Sequence, residues 1–96
     1  MILVDGGERV SGIFSDGDLR RLITENDGAV LRRPVAEVMT RNPKCVRGDA
    51  LASEAMAVMK QHRIDELPVV DAEHRPVGLI DVQDLVVLKM LDVESE

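Results

Sequence analysis

Residues 4–22, VDGGERVSGIFSDGDLRRL, decide the fold because their outline recurs without a gap as VDAEHRPVGLIDVQDLVVL at residues 70–88. The positions that recur are Val4, Asp5, Arg9, Gly12, Asp18, Leu19 and Leu22. A gapless recurrence is typical of an internal duplication, so we expect two copies of one structural unit.

Each copy predicts a strand, a polar turn, a second strand and a helix. The predicted bounds are, in that order, 2–4, 10–14 and 16–24 in the first copy, and 67–70, 76–80 and 82–91 in the second. Gly6 and Gly7 suit a turn with positive φ in the first copy. Ala72 and Glu73 stand at the equivalent positions, so we expect residues 72–75 to form a longer and less typical turn in the second copy.

The segment between the copies predicts shorter elements. Residues 25–28 end the first helix, residues 34–39 start a short helical turn at Pro34, and residues 40–43 form a bend. A short strand is predicted at 44–46. It is followed by a helix capped by Asp49 that runs to about His62, and the helix has apolar residues on one face at Leu51, Ala55, Val58 and Met59.

The sequence pattern thus predicts an α+β fold that is divided into two repeats. Residues 1–33 form the second half of a first repeat and a linker, and residues 34–96 form a complete second repeat. The first repeat lacks the opening strand and helix of the second.

Composition excludes several classes of protein. Twelve Lys and Arg against eighteen Asp and Glu give a net charge of −6, which disfavours a nucleic-acid partner. No apolar stretch is long enough to span a membrane, and no signal peptide is visible. The lone Cys45 fits a reducing compartment, so we expect a cytoplasmic protein. His62 and His74 lie far from Cys45 in sequence, so no metal site is expected.

A series of motifs resembles the CBS domain, which is named after cystathionine β-synthase. These motifs lie in the expected order at Met39-Thr40, Pro43, Glu54-Ala55, Met59, residues 67–71, residues 77–80 and Asp84-Leu85. The first copy matches the second half of a preceding CBS repeat. The resemblance implies most of a CBS pair, or Bateman module, with two β-β-α cores that pack about a pseudo-two-fold axis.

Residues 12–21 and 34–43 resemble, more narrowly, the CBS pair that follows the sugar isomerase domain of arabinose 5-phosphate isomerases of lipopolysaccharide synthesis. This resemblance implies a non-catalytic regulatory module with an isomerase domain upstream. The implied ligand is an adenine nucleotide (AMP or ATP) or a nucleotide sugar such as CMP-Kdo, and no cofactor is required. It also implies a homodimer formed through helices 16–24 and 82–91. The alternative is a ligand-free module that only assembles the isomerase.

CBS domains that bind adenine nucleotides share a motif of Gly, two apolar residues, Ser or Thr, two variable residues and Asp. The first copy matches it at Gly12, Ile13, Phe14, Ser15 and Asp18. A carboxylate can accept bonds from ribose hydroxyls, and a hydroxyl at a helix start suits a phosphate. The same Ser and Asp can equally form a capping box that needs no ligand, and the two roles can coexist.

The second copy carries Asp81 in place of Ser15, with Asp84 at the last motif position. Its negative charge predicts weak binding of a phosphorylated ligand there. The family pattern also uses residues near the start of each repeat. For the second copy these are Lys44, Cys45, Val46, Asp65 and Glu66, and for the first copy they are expected to precede Met1. Arg20-Arg21 could contact a phosphate, but a solvated face is the commoner location of such a pair.

Overall fold

The computed structural model describes residues 1–26 and 28–81. The predicted helix 82–91 and Asp84 lie outside this described part. In chain order the elements are β1 (Ile2–Val4), β2 (Val10–Ile13), α1 (Asp16–Asn26), a 3₁₀ turn (Ala29–Arg32), α2 (Val35–Val38), β3 (Thr40–Arg41), β4 (Val46–Arg47), α3 (Ala52–His62), β5 (Glu66–Val70) and β6 (Pro76–Asp81). Within this part of the chain, no helix is long and apolar enough to cross a membrane.

The strands form two small sheets, ordered β1-β2-β3 and β4-β5-β6. The first sheet is antiparallel throughout. In the second, β4 runs parallel to β5 and α3 makes the crossover between them, whereas β5 and β6 form an antiparallel hairpin. The predicted mixture of helices and strands in two β-β-containing cores is confirmed.

The linker folds differently from its prediction in two places. Residues 40–43 were expected to form a bend, but Thr40 and Arg41 pair with Ile13 and Gly12 and so complete the first sheet. The strand expected at 44–46 forms instead at Val46–Arg47. Both segments are too short for an apolar pattern to fix their state, so pairing with a neighbouring strand decides it.

The two hairpin turns have the same hydrogen bonds, although their sequences differ. Asp5 and Asp71 each use Oδ1 to accept two backbone N–H groups at distances between 2.8 and 3.1 Å. The donors are Gly7 and Arg9 in the first copy and Glu73 and Arg75 in the second. The aspartate that both copies share therefore shapes each turn.

The prediction that the turns differ is wrong for a second reason. Positive φ occurs at Glu8, at 64°, and at the equivalent His74, at 66°, and not at Gly6 or Gly7. The glycines were expected to supply this conformation because they adopt it without strain. The side-chain bonds of the shared aspartate impose it one residue later instead.

The core of the second unit lies between α3 and the β4-β5-β6 sheet. Ala55, Met59 and Leu67 are buried there. The half-buried residues that pack against them are Val46, Val58, Ile64 and Ile80. Two expectations for α3 are wrong. Leu51 is 65% exposed rather than core, and it also occupies the N-cap position predicted for Asp49.

Asp49 precedes α3 and forms an ion pair with Arg47, with 3.6 Å between Oδ2 and Nη2.

The two units contact each other through their backbones, because the N–H of Val10 donates to the carbonyl of His74 at 2.9 Å. This bond joins the start of β2 to the β5-β6 turn. The two hairpins therefore lie side by side.

Candidate functional site

A cavity of about 480 Å³, here called the interrepeat cleft, opens between the start of α1 and two segments from later in the chain. Its lining residues from the first copy are Ile13, Ser15, Gly17, Asp18 and Arg21. Those from later in the chain are Thr40, Asn42, Pro43, Lys44 and residues 62–66. The cleft therefore combines the end of β2 and the first turn of α1 with the segment before β4 and the loop between α3 and β5.

The first turn of α1 presents Ser15 and Asp18 to the cleft in a complete capping box. The Oγ of Ser15 accepts the N–H of Asp18 at 3.1 Å, and Oδ2 of Asp18 accepts the N–H of Ser15 at 3.0 Å. The Ser15 hydroxyl also donates to the same Oδ2 at 3.0 Å. These bonds satisfy N–H groups at the helix start, so Ser15 and Asp18 form the capping box that the sequence offered as one of their two roles.

Asp18 is a buried carboxylate, with 7% of the residue exposed. Burial raises its pKa, but the hydrogen bonds from Ser15 and Arg21 lower it, and the net effect places the pKa of Asp18 below its ordinary value. Nη2 of Arg21 donates to Oδ1 at 2.9 Å. Because each carboxylate oxygen has two acceptor positions, Oδ1 retains one for a ligand hydroxyl.

Across the cleft, Asp65 faces the helix start. Its Oδ2 lies 3.9 Å from the position that a Cβ would take on Gly17, so the glycine leaves this approach open. Lys44 and Glu66 line the same cleft. We predicted that Lys44, Asp65 and Glu66 serve the second copy's motif, and in the structure they line the same cleft as the first copy's Ser15 and Asp18.

Other predicted site residues lie away from the cleft. Gly12 is buried beneath Met39, whose side chain covers the position that a Cβ would take. Phe14 lines a separate small cavity of about 100 Å³ beside α1. Both residues therefore support the strand-to-helix junction rather than line the cleft.

The remaining predicted residues belong to the second sheet and the segment before it. Val46 packs into the α3 core. The Cys45 thiol is within 3.4 Å of the carbonyl of Pro43, and burial raises its pKa. Asp81 ends β6 opposite Glu66 and does not line the interrepeat cleft. Asp84 lies beyond the described residues.

Sequence reasoning missed Arg63 among the residues that line the cleft, and it considered Arg21 only for a phosphate contact or a solvated face. The Arg21 side chain is 56% exposed, as expected of a solvated face, and it also pairs with Asp18 one helical turn earlier. The spacing of three residues was the available signal for this pair. Arg63 has φ 53° at the end of α3, where the chain turns toward the cleft. No motif marked it.

Comparison with known families places most of the chain in one class. The family model of the CBS domain matches residues 35–90. This range covers the second repeat through β6 and continues beyond the described residues.

Several curated relatives are arabinose 5-phosphate isomerases. The chain is 41% identical over 85 residues to arabinose 5-phosphate isomerase KdsD of Pseudomonas aeruginosa, a match that covers 88% of this chain and 26% of the relative. It is 38% identical over 88 residues to KdsD of Francisella tularensis, covering 92% of this chain and 27% of the relative. The chain therefore spans about a quarter of the length of the relatives it matches.

Solved CBS domain pairs have the same fold. The CBS domain pair of protein MJ0100, in complex with 5′-methylthioadenosine and S-adenosyl-L-methionine, superposes with a TM-score of 0.81 at 25% identity over 96% of this chain and 70% of that one. CBSX2 in complex with AMP superposes with a TM-score of 0.72 at 26% identity, covering 98% and 72% of the two chains.

Proposed function

Because this chain belongs to the CBS domain family, we propose that its interrepeat cleft binds an adenine nucleotide and thereby regulates an isomerase domain in the same protein. The observation that carries the proposal is the convergence of Ser15, Asp18 and Arg21 with Lys44 and Arg63 in one cavity. The free acceptor position on Asp18 suits a ribose hydroxyl, and the cationic groups suit a phosphate.

The choice of an adenine nucleotide is supported by the similar structures. The CBS pair of MJ0100 holds two adenosine derivatives, and CBSX2 holds AMP. The cytosolic domain of the Mg²⁺ channel MgtE, 31% identical, was solved with ATP. No comparison supports CMP-Kdo, which the pathway resemblance suggested, so it enters the binding experiment only as a competing ligand.

The isomerase is proposed from the relatives, since a CBS domain is regulatory and not catalytic. KdsD relatives from two bacteria match nearly the whole chain over about a quarter of their own length, which leaves room for a sugar isomerase domain upstream. We place the repeats at residues 1–33 and 34–96 and the protein in the cytoplasm. It would form a homodimer through α1 and residues 82–91.

The binding experiment is a calorimetric titration of the purified chain with AMP, ATP, CMP and CMP-Kdo. We expect heat from the adenine nucleotides. Asp18→Ala should remove the binding, but this change also breaks the capping box. Lys44→Ala therefore serves as the second variant, since Lys44 is exposed and lines the cleft.

The matched control is Arg20→Ala, which removes an equal charge from an exposed position on α1 that does not line the cleft. We expect Lys44→Ala to weaken AMP binding about tenfold and Arg20→Ala to leave it unchanged. Equal effects of the two changes, or no binding of any nucleotide, would contradict the proposal.

A ligand-free assembly module is the second candidate. The observation that favours it is the capping box of Ser15 and Asp18, which is complete without a ligand. In that case none of the four compounds should bind. Removing this chain from the parent enzyme should then change the enzyme's oligomeric state, which light scattering measures. The enzyme's response to nucleotides should not change.

A further inference from the structure

The charges that line the interrepeat cleft limit how much negative charge a ligand can bring. The described lining residues include three cations, Arg21, Lys44 and Arg63, and three carboxylates, Asp18, Asp65 and Glu66. We propose that the cleft selects a nucleoside monophosphate over the triphosphate, and that Asp65 is the specificity-determining residue. This inference rests on the proposed function and names the class of nucleotide.

Two of the six charges already neutralise each other. Arg21 and Asp18 form an ion pair of 2.9 Å, in which the carboxylate is nearly buried. Lys44 and Arg63 therefore remain as the cations available to a phosphate, and they share the cleft with Asp65 and Glu66. A cleft with this balance can accept the two negative charges of a monophosphate but has no further cation among these residues for a second or third phosphate.

Asp65 also stands where an anion would otherwise be most favoured. The first turn of a helix attracts anions through its unpaired N–H groups and its dipole. At α1 this position is approached by the protein's own carboxylate, since Oδ2 of Asp65 lies 3.9 Å from the Cβ position of Gly17. Each phosphate added to the ligand meets this fixed negative charge, and like charges at such distances repel.

Glu66 contributes less to the discrimination. Its side chain is only 10% exposed. Asp65 is exposed and lies nearer to the helix start. A change at Asp65 therefore tests whether the negative charge of the cleft limits the charge of the ligand, and it should have little effect on folding.

The experiment measures the dissociation constants of AMP, ADP and ATP for the full chain by calorimetry in EDTA, so that no metal ion bridges phosphate and carboxylate. We expect affinity to fall along this series, with ATP binding roughly tenfold more weakly than AMP. Asp65→Asn should reduce this ratio about fivefold, and Asp65→Glu should retain it.

Asp49→Asn is the matched control, because it makes the same change in charge at an exposed residue that pairs with Arg47 outside the cleft. It should leave the ratio unchanged. If AMP binds but ATP binds as tightly, or if Asp65→Asn has no more effect than Asp49→Asn, the selectivity is disproved and the nucleotide-binding function stands. If none of the three binds, both proposals fail.

Discussion

Ser15 and Asp18 bond to each other in both directions across the first turn of α1, side chain to backbone each way. The pair therefore fixes the start of the helix and, at the same time, forms one wall of the interrepeat cleft. A change at either residue must affect stability as well as any ligand. Binding data for variants of this pair consequently need stability data beside them.

Ser15→Ala should lower the free energy of unfolding by about 1 kcal/mol, because it removes the acceptor for the N–H of Asp18 and a donor to Oδ2. Urea titration of the two proteins measures the loss. Ser53→Ala is the control, since Ser53 is exposed on α3, and it should change stability by less than about 0.5 kcal/mol. Equal losses would show that the capping box does not stabilise α1.

Asp18 should also make stability depend on pH in the acid range. Its pKa is lower in the folded chain than its ordinary value of 3.8, so its contribution is present above 3.8 and is lost as the pH falls through the folded value. Asp18→Asn should be less stable at neutral pH and should lose less on acidification. Urea titrations between about pH 6 and 2.5 measure both slopes.

The pKa values of Asp5 and Asp71 are lowered too, chiefly by backbone N–H groups, so some acid dependence remains in Asp18→Asn. Asp49→Asn is the control for a general loss of charge, because Asp49 is exposed and pairs only across 3.6 Å with Arg47. It should retain the acid slope of the original chain. If Asp18→Asn loses stability on acidification as steeply as the original chain, Asp18 is not the source of that acid dependence.

The sequence predicted the hairpins and α1 correctly in outline. The pattern of apolar residues that predicts each of these elements is a local feature, and it occurs in both copies of the duplication. Strand β1 forms at its predicted bounds, and Gly28 follows α1 with φ 87° where the helix was expected to end. The position of β3 was missed because Thr40 and Arg41 become a strand only through pairing with β2. Local pattern carries no information about such a partner.

The cleft was predictable only on one side. The motif of the first copy identified Ser15 and Asp18, since a strand-to-helix junction is a local feature. The opposite wall comes from Thr40, residues 42–44 and residues 62–66, which tertiary packing brings to α1. The sequence pattern assigned Lys44 and Asp65 to the second copy's motif, and it could not indicate that they line a cleft with Ser15 and Asp18.

The two hairpin turns should both resist a β-branched residue at their third position. His74→Val should lower the free energy of unfolding by about 1–2 kcal/mol, because φ is 66° there and β-branched residues are strained in this region. Ala72→Val, at an exposed residue of the same turn without positive φ, should cost less than about 0.5 kcal/mol. Thermal unfolding monitored by circular dichroism measures both, and equal costs would contradict the strain.

Gly12 and Gly78 are equivalent in the duplication, but only Gly12 should be required by packing. A Cβ on Gly12 would overlap Sδ of Met39 and lie 2.9 Å from its Cε. A Cβ on Gly78 would meet Val69 at an ordinary 3.7 Å. Gly12→Ala should therefore lower the free energy of unfolding by about 1–3 kcal/mol, whereas Gly78→Ala should be neutral or slightly stabilising.

Met39→Ala provides the test of cause for Gly12. If the overlap with Met39 is the reason for the loss, Gly12→Ala should cost less in the Met39→Ala protein, with a coupling of at least about 0.5 kcal/mol in urea titrations of the four proteins. Additive losses would place the constraint in the backbone of β2 instead. Because β2 is followed by Phe14 and then Ser15, a packing origin also means that the motif glycine supports the cleft without contacting a ligand.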